Sequence, residues 1–185
     1  MALLSEMVQA VAGVEGIEPV SVGIFARHAR EAGLITQGGR GRSAAKMSFK
    51  DAANLLIAVN GCALAKEVAS GVTIYRNLRP MASEGADFVG VGAQGSTFGS
   101  DFEVILRMMA EEGRNKIPGA TFVRFFKPYP LVEITMHPQF DGVPETISVK
   151  YGDSDSGPRW DGPDRSDETV ISHVTLQNVA SLIAG

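Results

Sequence analysis

The sequence is poor in the residues that most often carry covalent or metal chemistry. A single cysteine, Cys62, excludes an internal disulfide framework and fits a reducing compartment; its expected role is that of a small core residue. Three histidines, His28, His137 and His173, stand apart, none with a His, Cys or carboxylate neighbour at metal-ligand spacing. The chain has no Walker lysine, no G-x-S-x-G elbow and no H-E-x-x-H pair. Nothing in it calls for a metal or a cofactor, and the expectation is a protein that is not an enzyme. Long apolar runs are missing as well: none approaches the roughly 18 residues that a spanning helix needs. The opening MALLSEMVQAVAG has no basic segment ahead of its apolar residues, unlike a secretory signal. A cytoplasmic chain without membrane contact is expected.

Positive charge is scarce everywhere except in one stretch. The chain has 17 basic and 21 acidic residues, net −4. Between Ser21 and Lys50, however, six basic residues (Arg27, Arg30, Arg40, Arg42, Lys46, Lys50) face one acid, Glu31, for a net +5. Such asymmetry inside an acidic chain marks a site for a polyanion, with nucleic acid as first candidate. The 44% hydrophobic and 21% charged composition is that of a globular protein, and 185 residues suffice for one ordinary domain or two small ones.

Three- and four-residue apolar spacings predict a helix through Leu3, Leu4, Met7, Val8 and Val11, then a turn at Glu18-Pro19. A second helix follows over Ser21 to Ala32, with Val22, Phe25, Ala26 and Ala29 inward and Arg27 and Arg30 outward; Gly33 stops it. Leu34 and Ile35 are expected to fold back on the core and anchor the loop TQGGRGRSAAKM. Glycines in that loop let backbone approach a ligand, and its arginines can pair with phosphate through two donors at once. Ser48 and Asp51 open a third helix, Phe49 to Val59, as a capping-box pair, with Ala52, Leu55, Leu56 and Val59 buried; a further helix runs through Leu64, Val68 and Val72. Residues 1–78 therefore read as a helical unit of helix-turn-helix or winged-helix order. The alternative is a small helical domain whose basic loop is merely solvated.

Residues 79–99, rich in Gly, Ser and Ala, are expected to be a linker between domains. Within them Gly90, Gly92 and Gly95 spell G-x-G-x-x-G. The preceding strand is too short and the next helix too distant for a dinucleotide turn, so an ordered loop or linker is preferred. From Ser100 onward, S-x-x-E predicts a helix start, with Phe102, Ile105, Leu106 and Met109 inward. Strands are expected at Thr121–Phe126, Leu131–Met136, Thr146–Tyr151 and Thr169–Val174, then a closing helix through Leu176, Val179, Ala180 and Ile183. The acidic stretch 152–168 lacks EF-hand spacing and reads as a solvated loop, with Trp160 folded back on the sheet. The overall expectation is an α+β protein: an N-terminal helical DNA-binding unit (1–78) and a C-terminal small antiparallel sheet with flanking helices (100–185) for oligomerisation or partner binding.

Gly33-Leu34-Ile35, Gly38 to Arg42, and Met47 through Val59 resemble a stretch that recurs in uncharacterised phage and prophage proteins of bacteria. Arg30 to Ile35, the basic loop and Ser48 to Ile57 are similar to MerR-type winged-helix regulators. That family's wing aromatics and long dimerising coiled coil are missing, so the resemblance implies regulator-like docking and not effector chemistry. The function expected is that of a DNA-binding transcriptional regulator, a homo-oligomer on double-stranded DNA contacted by Arg27, Arg30, Arg40, Arg42, Lys46 and Lys50. The rivals are a phage packaging or structural protein of small-terminase type and, more distantly, a nucleotide-binding enzyme using the Gly90 series.

Overall fold

Ala52, Ala53, Leu55, Leu56, Ile57 and Ala58 leave the third helix without a polar stripe, and a helix apolar all round must be enclosed on every side. The computed structural model describes residues 2–38, 45–86, 89–111, 119–138, 145–152 and 166–185, and in it this helix, α3 (Phe49–Gly61), is the centre of the molecule. Residues 51–58 are all buried. The expectation of one buried face is thereby corrected, because Ala53, Asn54, Ile57 and Ala58 are enclosed along with Ala52, Leu55 and Leu56, while Val59 is only half-buried.

Around α3 pack α2 (Pro19–Glu31), α4 (Val68–Asn77), α5 (Phe98–Ala110) and α6 (His173–Ala184), while α1 (Leu4–Glu15) packs on α2 and α6. Strands β1 (Arg79–Glu84), β2 (Ala120–Lys127), β3 (Leu131–His137), β4 (Ile147–Gly152) and β5 (Asp167–Ser172) form one antiparallel sheet in the order β1-β4-β3-β2-β5. The fold is α+β, with helices first and then a sheet flanked by α5 and α6.

Alternation in the strands sends Val123 and Phe125, Val132, Ile134 and Met136, and Ile147, Val149 and Tyr151 to one face, where all are buried. Against them α5 lays Phe98 and Phe102, and its Ile105, Leu106 and Met109 are buried as well. Phe98 stacks on Phe102 at 5.1 Å between ring centroids and meets Phe125 at 5.8 Å and Tyr151 at 5.5 Å. Tyr75 of α4 reaches the same cluster, edge-on to Phe125 at 5.9 Å. Each enclosed aromatic contributes about 1.5–3 kcal/mol of burial, so this cluster binds the helical half to the sheet.

Three expectations are corrected. Residues 79–84, expected within a linker, form the edge strand β1 on β4, and the segment beyond them is anchored by buried Ala86 and Val91. The stretch reads as a linker because it pairs through backbone, with no alternating pattern in its side chains. Helix α5 begins at Phe98 with Thr97 as its cap: Thr97 Oγ1 accepts from the Ser100 amide at 3.2 Å, and the Thr97 amide donates to Ser100 Oγ at 3.0 Å. The earlier start brings Phe98 into the aromatic cluster. His173, expected in the last strand, opens α6, because the Ser172 hydroxyl accepts from the Val174 amide and caps that helix. The acidic stretch around Trp160 lies outside the described residues.

Candidate nucleic-acid interface

Helices α1 and α2 are joined by only three residues, Gly16, Ile17 and Glu18. Gly16 ends α1 in the left-handed conformation (φ 66°), and Pro19, with its fixed φ and no amide to satisfy, starts α2 at once. Val22, Ala26 and Ala29 of α2 are buried, which turns Val20, Ile24, Arg27 and Arg30 outward. Arg27 makes a 3.9 Å ion pair with Glu31 one turn on, both side chains well exposed, an interaction of little energetic weight. Arg30 has no ion pair among the described residues.

The loop that follows is held at its root by one carboxylate. Asp51, buried in the first turn of α3, accepts from the Thr36 amide at 2.7 Å and the Thr36 hydroxyl at 3.0 Å on one flank. On the other flank it accepts from the Ser48 amide at 2.8 Å and the Ser48 hydroxyl at 2.7 Å. Asp51 therefore caps α3 and clasps both ends of the loop, a role that its place in the capping box does not reveal. Asn54 adds a bond from Nδ2 to the Leu34 carbonyl, and its Oδ1 accepts from Arg76, which is itself paired with Glu103 at 2.6 Å. Ile35 is buried and Leu34 is packed on the core, as their sequence position implied. Gln37 Nε2 donates to the Arg30 carbonyl, and the Met47 amide donates to the Ala2 carbonyl, so one flank is fixed to α2 and the other to the approach to α1. Between them Gly38 and Ala45 form a closed neck: a Cβ on Gly38 would stand 2.3 Å from the Ala45 nitrogen.

Arg27, Arg30, Thr36, Gly38, Ala45 and Met47 line a cleft of about 420 Å³ between α1, α2 and this neck. Of the six basic residues singled out in the sequence, the structure brings Arg27 and Arg30 together here. Lys46 and Lys50 are exposed at the returning flank and the start of α3, outside the cleft lining. Arg40 and Arg42 lie outside the described residues. Sequence reasoning missed Gly23, Ser5 and Met47 as cleft residues and the exposed Val20 and Ile24; the last two carry a signal, since they fall off the apolar stripe of α2.

The glycine series at 90–95 has a different task. Gly90, Gly92 and Gly95 all have positive φ (68°, 71° and 92°), but the Gly92 amide donates to Asp101 at 2.7 Å. The same carboxylate oxygen accepts from the Ser96 hydroxyl and the Tyr151 hydroxyl, both at 2.8 Å. The chain's own carboxylate thus uses the donor that a dinucleotide turn would aim at a pyrophosphate. Cys62 is buried, and burial pushes its thiol up to about 11, away from the reactive thiolate. No cluster of metal-ligating side chains and no helix long and apolar enough to cross a membrane occurs among the described residues. No protein-family model, curated protein or solved structure matches the chain.

Proposed function

We propose that this protein binds double-stranded DNA without catalysis, as a phage-related or bacterial transcriptional regulator acting in the cytoplasm as a homo-oligomer. The observation that carries the reading is the pair Arg27 and Arg30, exposed on the second helix of a tightly turned pair and lining a cleft that reaches the neck of the Gly/Arg loop. A helix so placed can lie along a groove while guanidinium groups pair with phosphates. The six basic residues of 21–50 supply the electrostatic attraction, with Arg40 and Arg42 following the neck in sequence. Helix α3, at the position of the short helix after the wing in MerR-type regulators, is enclosed from Asp51 to Ala58, so DNA contact falls to α2, the loop and the exposed Lys50 at the start of α3.

Filter binding or gel shift with genomic fragments at several salt concentrations tests the reading. Affinity should fall steeply with salt, and the Arg27→Ala/Arg30→Ala pair should lower the slope of log K against log salt by about 2, roughly 0.9 for each phosphate no longer neutralised. The Arg40→Ala/Arg42→Ala pair should behave alike; an unchanged slope removes the loop from the interface. Absence of binding by the unaltered protein at low salt overturns the reading. Light scattering adds a check on assembly: a dimer fits a regulator, and a large ring fits a packaging protein.

A further inference from the structure

Gly23 lies in the middle of α2, where glycine is among the poorest helix formers. Nothing stands within 4 Å of the position its Cβ would take, so packing does not require glycine there. What the missing side chain does is leave room in the cleft, which Gly23 lines. The cleft's volume of about 420 Å³ falls within the roughly 300–1,000 Å³ of small-molecule sites. Its floor is aliphatic, made by buried Val8, Ala26 and Met47, and its rim carries exposed Arg27 and Arg30. None of the described lining residues is aromatic, so a base has no ring to stack on, and the Thr36 hydroxyl is donated to Asp51.

We propose that this cleft binds a small amphiphilic anion: an aliphatic chain lies on Val8, Ala26 and Met47 past Gly23, and its carboxylate or phosphate head takes the guanidinium of Arg30, with Arg27 beside it. Charge complementarity selects the head, because Arg30 has no ion pair among the described residues and Arg27 only an exposed one. The aliphatic floor selects the tail. The site does not depend on DNA binding, although its occupant would engage two arginines assigned to phosphate above.

The test is calorimetric titration of the full chain, without nucleic acid, with decanoate and decyl phosphate below their micellar concentrations. Decanol and inorganic phosphate serve as probes of tail and head alone. One or both amphiphiles should saturate at one site per chain, at least about tenfold more tightly than either half-probe, as expected if a charge-assisted pair adds to apolar burial. Gly23→Leu should abolish that binding, and Arg30→Gln should weaken it about tenfold. Gly23→Ala is the decisive variant: it should raise the melting temperature by about 2–4 °C yet weaken binding. Gly13→Ala, an equally open position on an exposed part of α1, should raise it without touching affinity. The proposal is overturned if neither amphiphile saturates, if inorganic phosphate binds as tightly as they do, or if Gly23→Leu binds like the unaltered chain. Binding only to vesicles of anionic phospholipid would overturn it too, since it would make the face a membrane-docking surface.

Discussion

Two glycine-rich loops precede two capped helices in this molecule, and each is tied down by a buried aspartate in the first turn of the helix that follows. Asp51 gathers Thr36 and Ser48 below α3; Asp101 gathers Gly92, Ser96 and Tyr151 below α5. The device is shared, and the difference lies in what else each loop contains. The loop between β1 and α5 has Ala86 and Val91 to bury and an aspartate bonded to an enclosed tyrosine, so these residues anchor it on the core. The loop after α2 is clasped by Asp51 at its root, and the sequence beyond, 39–44, holds glycine, arginine, serine and alanine. The same clasp therefore serves packing in one case and, in the other, fixes the two flanks of a loop whose sequence carries Arg40 and Arg42.

Removing the two clasps should separate the cases most widely. Asp101→Ala takes from the buried Tyr151 hydroxyl and the Gly92 amide the carboxylate that binds both and should cost about 3 kcal/mol; Asp51→Ala should cost about 2 kcal/mol, since Thr36 and Ser48 are exposed and water can take up their donors. Equal losses in urea denaturation would mean that the two loops are equally part of the core. Next come the glycines. Gly92→Ala places a side chain at φ 71° and 2.9 Å from Val149 Cγ1, and should cost about 2 kcal/mol. Gly38→Ala strikes the Ala45 backbone instead and forces the neck open, so its larger effect should be on DNA affinity; a variant with reduced stability and normal affinity would break the comparison. The smallest effect concerns a carboxylate without such donors. Among the described residues Glu15, at the end of α1, is met by the Asn60 amide alone, and burial pushes it up to about 7 from an ordinary 4.5. The folded protein then holds this proton more tightly than the unfolded chain, so stability should fall as pH rises from about 4.5 to 7 and level off above it. Glu15→Gln should flatten that slope and be about 1 kcal/mol more stable at pH 8, after allowance for partial exposure; unchanged pH dependence in thermal melts would show Glu15 to be solvated.

Side-chain periodicity made most of the elements legible. The alternation of Val132, Ile134 and Met136, and the spacing of Phe102, Ile105, Leu106 and Met109, give the sheet's inner face and the stripe of α5 directly. Where the structure departs from expectation, the cause is a distant partner. Strand β1 carries Pro80 and no alternation, and it is a strand because β4 lies beside it. Two overlapping cap patterns compete at α5, and the aromatic cluster selects the one that makes Phe98 helical. The burial of α3 on every side from Asp51 to Ala58 had a local signal, the missing polar stripe, that counting apolar spacings overlooks. At the candidate site, the sequence revealed which residues are basic and which helix carries two of them outward. It did not reveal the clasp at Asp51, which joins residues 15 positions apart, or the use of Gly23, which is visible only once α1 stands opposite.

The seating of α1 against α6 sets an order of assembly during synthesis. One wall of the cleft belongs to α1, yet α1 leans on a helix made more than 150 residues later. Strand β5 must also cross back to β2 before α6 can dock. Such long-range pairing is slow relative to local helix formation. The arginine-bearing surface is therefore completed well after its own residues are made, and a nascent chain carries their positive charge on an unfinished scaffold until translation has passed α6.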